Sequence, residues 1–200
     1  MLSQTIQVVC RLFSTFGRYW IILGFLPRFE HRSALPYCEA VLREVFRWRT
    51  IVPFAIPHAT SDDDIYEGYF ITKGTKVLPN VWAMTYDESM YPNPDRFDPK
   101  RFLNTNGHLN ADSQILGFGF GRRAHAGRYG ADATVWATIL TVLTTFNIAK
   151  AKDDTGKETE IETVFADGMV SSLQQPETIQ MQLTPRNDVI KQLVTNMTDV

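Results

Sequence analysis

Cysteine is scarce in this chain: Cys10 and Cys38 are the only two in 200 residues, in unrelated contexts and without CxxC or zinc-ligand spacing. Their scarcity argues against a disulfide framework or a metal finger and makes a reducing compartment the default. An excess of either charge is also missing. With 20 Lys and Arg against 22 Asp and Glu, a net of −2, there is no basic stripe to neutralise phosphates, so no nucleic-acid partner is expected. The amino-terminal apolar run, Tyr19 to Leu26, is interrupted by Gly24, flanked by Arg18 and Arg28, and far short of the roughly 20 residues that cross a bilayer. Met1 to Gly17 has no charge before Arg11, which is not how a signal peptide begins. Neither an anchor nor an export signal is expected, and the run reads as a surface-lying or core-packed helix. Internal repeats and low-complexity tracts are absent too. The remaining content, 44% hydrophobic and 12% aromatic, suffices to bury the core of one ordinary domain.

From Arg28 onward the pattern sharpens. Ser33 is placed to cap a helix, Pro36 suits its first turn, and Cys38, Val41, Leu42, Val45 and Trp48 form an apolar face at helical spacing. Ile51, Val52 and Pro53 stop that helix near Arg49. Strands are expected over Val52 to Ala59, Ile65 to Ile71 and Lys76 to Pro79, with a turn at Lys73-Gly74, giving a β-hairpin. Asn80 to Tyr86 suggests a short helix. Pro92, Pro94 and Pro99 then impose an irregular, extended meander. Ala131 to Phe146 predicts a buried helix with Val135, Ile139, Val142 and Phe146 on one face, held by packing because its threonines are weak helix formers. A hairpin using Ile179 to Leu183 and a frayed end after Pro185 complete the expectation.

Glu44 and Arg47 lie three apart on the first helix, to one side of its apolar face, and alone would be an ordinary i,i+3 ion pair. Leu35-Pro36-Tyr37 precedes them, Trp48 follows Arg47, and Pro57-His58 comes after. Phe97-x-Pro99-Lys100-Arg101-Phe102 follows the proline cluster. Gly117-Phe118-Gly119-Phe120-Gly121-Arg122-Arg123-Ala124-His125-Ala126-Gly127 is rich in glycine, but lacks the Lys-Ser/Thr of a phosphate loop and has no convincing βαβ unit with a later acidic residue. Taken in order, these segments resemble the cytochrome P450 superfamily: its E-x-x-R helix, its P-E-R-F meander with Lys100 for glutamate, and its haem loop F-x-x-G-x-R-x-C-x-G. Phe118, Gly121, Arg123 and Gly127 fill four of the five fixed loop positions; the fifth, the thiolate that ligates iron, is His125. The stretch from Pro57-His58-Ala59-Thr60 to Trp82-Ala83-Met84 is most similar to fungal members.

The resemblance implies a mainly α fold with small β-sheets (α+β), the carboxy-terminal part of the family's fold. It implies a haem cofactor, with NADPH acting only through a reductase partner, and insertion of one oxygen atom from O2 into a lipophilic substrate. Glu44, Arg47 and Arg101 would form a buried charge triad, since two planar forks can share one carboxylate. Arg123 and His58 would hold the haem propionates; alternatively Arg123 is a solvated neighbour of Arg122, and His58 a turn histidine. Phe118 would pack beside the proximal ligand, with Gly121 and Gly127 allowing a tight turn and close backbone approach. Ile51 to Ile56 and the loop near Gly168 to Pro176 would face substrate. His125 occupies the metal position, and imidazole donates less electron density to iron than thiolate does; no catalytic residue is named. The expected division is a leader over residues 1–25 outside the family pattern, a partial domain over 26–186 and a tail over 187–200, as in a truncated gene product. Family members of this type are often associated with the endoplasmic-reticulum membrane, which leaves the location of this chain open. Two further readings stay open: a non-catalytic haem binder with His125 as axial ligand, and a small α+β domain without haem.

Overall fold

The first regular helix among the described residues, α1 (Pro36–Trp48), starts at a proline whose missing N–H costs nothing in the first turn. Its cap is Leu35 and not Ser33, because Ser33 belongs to a 3-10 turn, Phe29–Ala34, that leads into the helix. The computed structural model describes residues 28–112, 116–159, 164–166, 172–174 and 181–198. Three further helices follow: α2 (Val81–Thr85), α3 (Arg128–Thr145) and α4 (Asp188–Thr198). Among the described residues, strands pair two by two. β1 (His58–Ala59) joins β4 (Lys76–Val77), β2 (Asp64–Tyr66) joins β3 (Tyr69–Ile71), β5 (Phe146–Lys150) joins β8 (Met181–Pro185) and β6 (Val164–Ala166) joins β7 (Ser172–Gln174), all antiparallel.

Helix α1 is buried on two sides. Leu35, Cys38 and Leu42 pack against Trp136, Leu140 and Leu143 of α3, while Ala40 meets Tyr91 and Phe102 of the meander. This double packing revises the expected face: Val45 is exposed and Trp48 half-buried, whereas Glu44 and Arg47 are buried. On α3 the buried stripe is Trp136, Leu140 and Leu143, one position along from the expected Val135, Ile139 and Val142. Its threonines turn inward on the helix itself. The hydroxyls of Thr134, Thr138 and Thr144 donate to the carbonyls of Gly130, Thr134 and Leu140, each at 2.8 Å, which satisfies them without a tertiary partner.

Two other expectations change. The run Ile65 to Ile71 is not one strand, because Glu67 (φ 50°) and Gly68 (φ 83°) form a turn between β2 and β3. Positive φ at both central residues gives the twist that a two-residue hairpin connection needs. Residues 52–57 form turns, and only His58 and Ala59 pair. Beyond Pro185 the chain continues into α4, started by Asn187, whose Oδ1 accepts from the Ile190 N–H at 2.9 Å.

Cys38 is a buried free thiol, raised from its ordinary 9.0 to about 12 by burial and then by the charge of Glu39. A thiol that holds its proton more tightly when folded supports the fold fully below pH 9. That support is lost as pH rises from about 9 to about 12. Tyr91, pushed up to about 12 chiefly by burial and by its hydrogen bond to Asp112, adds to the same alkaline limb. In a Cys10→Ser background, a thiol reagent at pH 8 should label Cys38 only after denaturation, and Cys38→Ala should reduce the fall of the urea midpoint above pH 9. Rapid labelling of the native chain would contradict this burial.

Candidate functional site

Glu44 is the hub of a buried network. Its carboxylate accepts from Arg47 Nε at 2.7 Å and Nη2 at 2.9 Å, from Arg101 Nε at 3.3 Å and from the Asp98 N–H at 2.8 Å. Arg47 also donates to the carbonyls of Thr85 (2.9 Å) and Pro94 (2.8 Å), and Arg101 to those of Pro92 (3.0 Å) and Arg96 (3.2 Å). The guanidinium of Arg47 lies 5.9 Å from the ring centre of Tyr86 and 5.5 Å from that of Tyr91. No regular strand or helix could order a segment with so many prolines, so its carbonyls are held by the two forks instead. The indole of Trp48 adds one more tie, donating to Asp95 O at 2.7 Å.

The braced helix reaches the glycine-rich loop through Phe46, whose ring centre is 5.3 Å from that of Phe118. Two 3-10 turns, Leu116–Phe118 and Gly121–Arg123, build the loop. Gly121 lies between Phe120 and Arg122 at φ 55°, a conformation with no penalty for a residue lacking Cβ, and the space beside it is open. At Gly127 a Cβ would stand 2.9 Å from His125 Cε1, so a larger residue would displace that exposed ring from its present position. His125 donates its backbone N–H to Phe118 O at 2.8 Å, and its Nδ1 accepts from the Gly127 N–H at 3.0 Å. The Phe118 and His125 ring centres are 6.2 Å apart.

Beside this loop opens a cleft of about 500 Å³ lined by His58, Val77, Pro79, Met84, Phe120, Arg122 and Arg123. The β1–β4 pairing sets His58 directly opposite Val77, and the second 3-10 turn carries the two arginines. His58 and Arg123 therefore share one cleft; Phe118, Gly121, Gly127 and His125 do not line it. Arg122, which reads in sequence as a solvated neighbour, lines it too, and only the adjacent arginine hinted at this. A cationic edge beside Val77, Pro79, Met84 and Phe120 suits a flat apolar ligand bearing carboxylates. Of the expected substrate wall, Ile51 and Ile56 are largely exposed. The Gly168 to Pro176 loop lies outside the described residues except for the strand pieces already given.

The cytochrome P450 family model matches residues 21–182. The chain belongs to the cytochrome P450 family. Among curated P450 relatives, the cytochrome P450 monooxygenase claR of Ampulloclitocybe clavipes is 45% identical over 84% of this chain and 31% of its own length. Cytochrome P450 monooxygenase ple1 of Rhodocybe pseudopiperita is 38% identical over 87% of this chain and 33% of its own. Tryptamine 4-monooxygenase of Psilocybe cyanescens is 39% identical, covering 84% and 33%. The chain thus spans about a third of the length of these relatives.

The family's cofactor is haem, and its fit to this P450 chain divides. His58, Arg122 and Arg123 have the chemistry to hold its acidic edge, and the open space beside Gly121 leaves room for a close backbone approach. The position that the resemblance gives to the axial ligand does not fit. Position 125 offers imidazole in place of thiolate, and Nδ1 of that ring is already an acceptor from Gly127. Cys38 is no substitute, since its protonated thiol is packed among Leu35, Leu42 and Trp136. Among the described residues no group of three or more His, Cys, Asp or Glu side chains is arranged to hold a metal, and no helix is long and apolar enough to cross a membrane.

Proposed function

We propose that this chain is the haem-loop portion of a P450 monooxygenase, a protein that in whole form inserts one oxygen atom from O2 into a lipophilic organic substrate. Electrons would come from NADPH through a reductase, and any membrane association would follow the family. The residues here would supply the platform: the Glu44–Arg47–Arg101 network holds the meander to α1, Phe46 carries that rigidity to Phe118, and the loop brings its two arginines to the cleft that His58 also lines. The observation that carries the reading is the meeting of His58, Arg122 and Arg123 on one cleft beside the glycine-rich turn. Propionates placed there would gain charge-assisted hydrogen bonds from guanidinium and imidazole.

The substitution at position 125 favours a second reading for the chain as it stands, a porphyrin binder that does not oxidise. The family's chemistry draws on thiolate donation to iron, which this loop does not offer.

Titrating the purified chain with haem tests the cleft. Arg123→Ala and His58→Ala should each weaken binding by about tenfold, the loss of one charge-assisted contact. Lys73→Ala, in the turn between β3 and β4, should leave it unchanged. Equal binding by all four proteins would remove the cleft from the reading.

A further inference from the structure

The turn that opens α3 contains a hydrogen bond that an iron-ligating ring would not be free to make. Because the Gly127 N–H donates to His125 Nδ1 at 3.0 Å, that nitrogen must present a lone pair. In the neutral ring the proton then sits on Nε2. Ligation through Nε2 asks for the reverse, a lone pair on Nε2 and a proton on Nδ1 given to a carbonyl or carboxylate. This loop offers Nδ1 a donor instead. A protonated Nδ1 would face the Gly127 N–H, so the hydrogen bond between them would be lost. The backbone of His125 is tied on both sides, donating to Phe118 O at 2.8 Å and accepting from the Arg128 N–H at 3.2 Å, which sets the ring beside that amide. A side-chain acceptor taking the N–H two residues on is how Asn and Asp stabilise turns. Here a ring nitrogen stands in for the carboxamide oxygen.

We propose that His125 is a turn cap at the entrance to α3 and not an iron ligand, so that the cleft of His58, Arg122 and Arg123 selects a dianionic tetrapyrrole without reading its metal. The second half rests on the haem reading above; the first half stands apart from it. His125 does not line the cleft, so recognition there falls to the carboxylates and the flat apolar face of the ligand.

Long-range proton–nitrogen NMR correlations on the neutral ring of His125, in the chain without haem, should show the proton on Nε2; a proton on Nδ1 overturns the cap. His125→Asn keeps an acceptor for Gly127 and His125→Ala removes it. Exchange of the Gly127 amide should therefore match wild type in the first variant and run about fivefold faster in the second, the loss of one net hydrogen bond. Equal acceleration in both would also overturn the cap. In the wild-type chain, haem and iron-free protoporphyrin should bind within about threefold of each other, and His125→Asn should leave the haem spectrum unchanged. Haem binding at least about tenfold tighter, with the advantage lost in His125→Asn, would make the ring a ligand after all. If neither porphyrin binds, the cleft half falls together with the haem reading, while the tautomer and exchange data decide the cap by themselves.

Discussion

Replacing Glu44 by alanine lowers the free energy of unfolding by about 3–5 kcal/mol, because the positive charge left behind is buried and uncompensated. Arg47 is 4% exposed and gives Glu44 two of its donors, while the Arg101 side chain and the Asp98 amide lose their shared acceptor. The loss measures asymmetry and not the net worth of the ion pairs, since charges taken out of water together roughly balance their own desolvation. Glu44→Gln should lie between the two, keeping the volume but turning an amide donor toward guanidinium donors. Arg101→Lys should cost about 1–2 kcal/mol, retaining charge while losing the fork that ties Glu44 to the meander carbonyls. Urea denaturation followed by circular dichroism gives the values. A loss below about 1 kcal/mol for Glu44→Ala would mean that the network does not brace the meander.

Trp136→Ala should be comparably severe, about 3–5 kcal/mol, since it opens a cavity where α1 meets α3. Trp136 is 2% exposed, its ring centre is 5.3 Å from that of Phe29, and the Arg32 guanidinium lies 5.5 Å from it. The same residue predicts a contrast. Its indole N–H is buried without a hydrogen-bond partner, so Trp136→Phe gives up ring area but also removes an orphaned donor costing about 1–3 kcal/mol. The phenylalanine variant should therefore stay within about 1 kcal/mol of wild type. If both substitutions cost the same, the indole nitrogen has no part in the balance and shape alone governs the site.

Much of the local structure was legible in the residues, and the failures share a cause. Helix α1 and the cap of α2 by Asn80, whose Oδ1 accepts from the Ala83 N–H at 3.0 Å, follow from local rules. The burial of Glu44 does not, because a Glu and an Arg three apart look the same on a wet surface as between two packed layers. Helix α3 is apolar nearly all round, so its periodicity carried little information about phase, and packing on α1 buries Trp136 fully while Val135, at the edge of the same cluster, is only partly buried. The Ile65 to Ile71 run hid its turn because Glu67-Gly68 is a weaker signal than Asn-Gly. Of the three basic residues on the cleft, Arg123 and His58 were singled out by motif position, and Arg122 was not.

Order and spacing along the chain sufficed to carry the resemblance to the family, and that resemblance marked Glu44, Arg47 and Arg101 as partners; residue identity alone showed that position 125 carries no thiolate. Those properties are written in residue identity, which needs no neighbours to be read. Tertiary structure alone decided that His58, Arg122 and Arg123 line one cleft, and that the Gly127 N–H donates to Nδ1 of His125. Both depend on distances of a few ångströms between groups whose directions are set by turns, and a linear sequence does not carry direction.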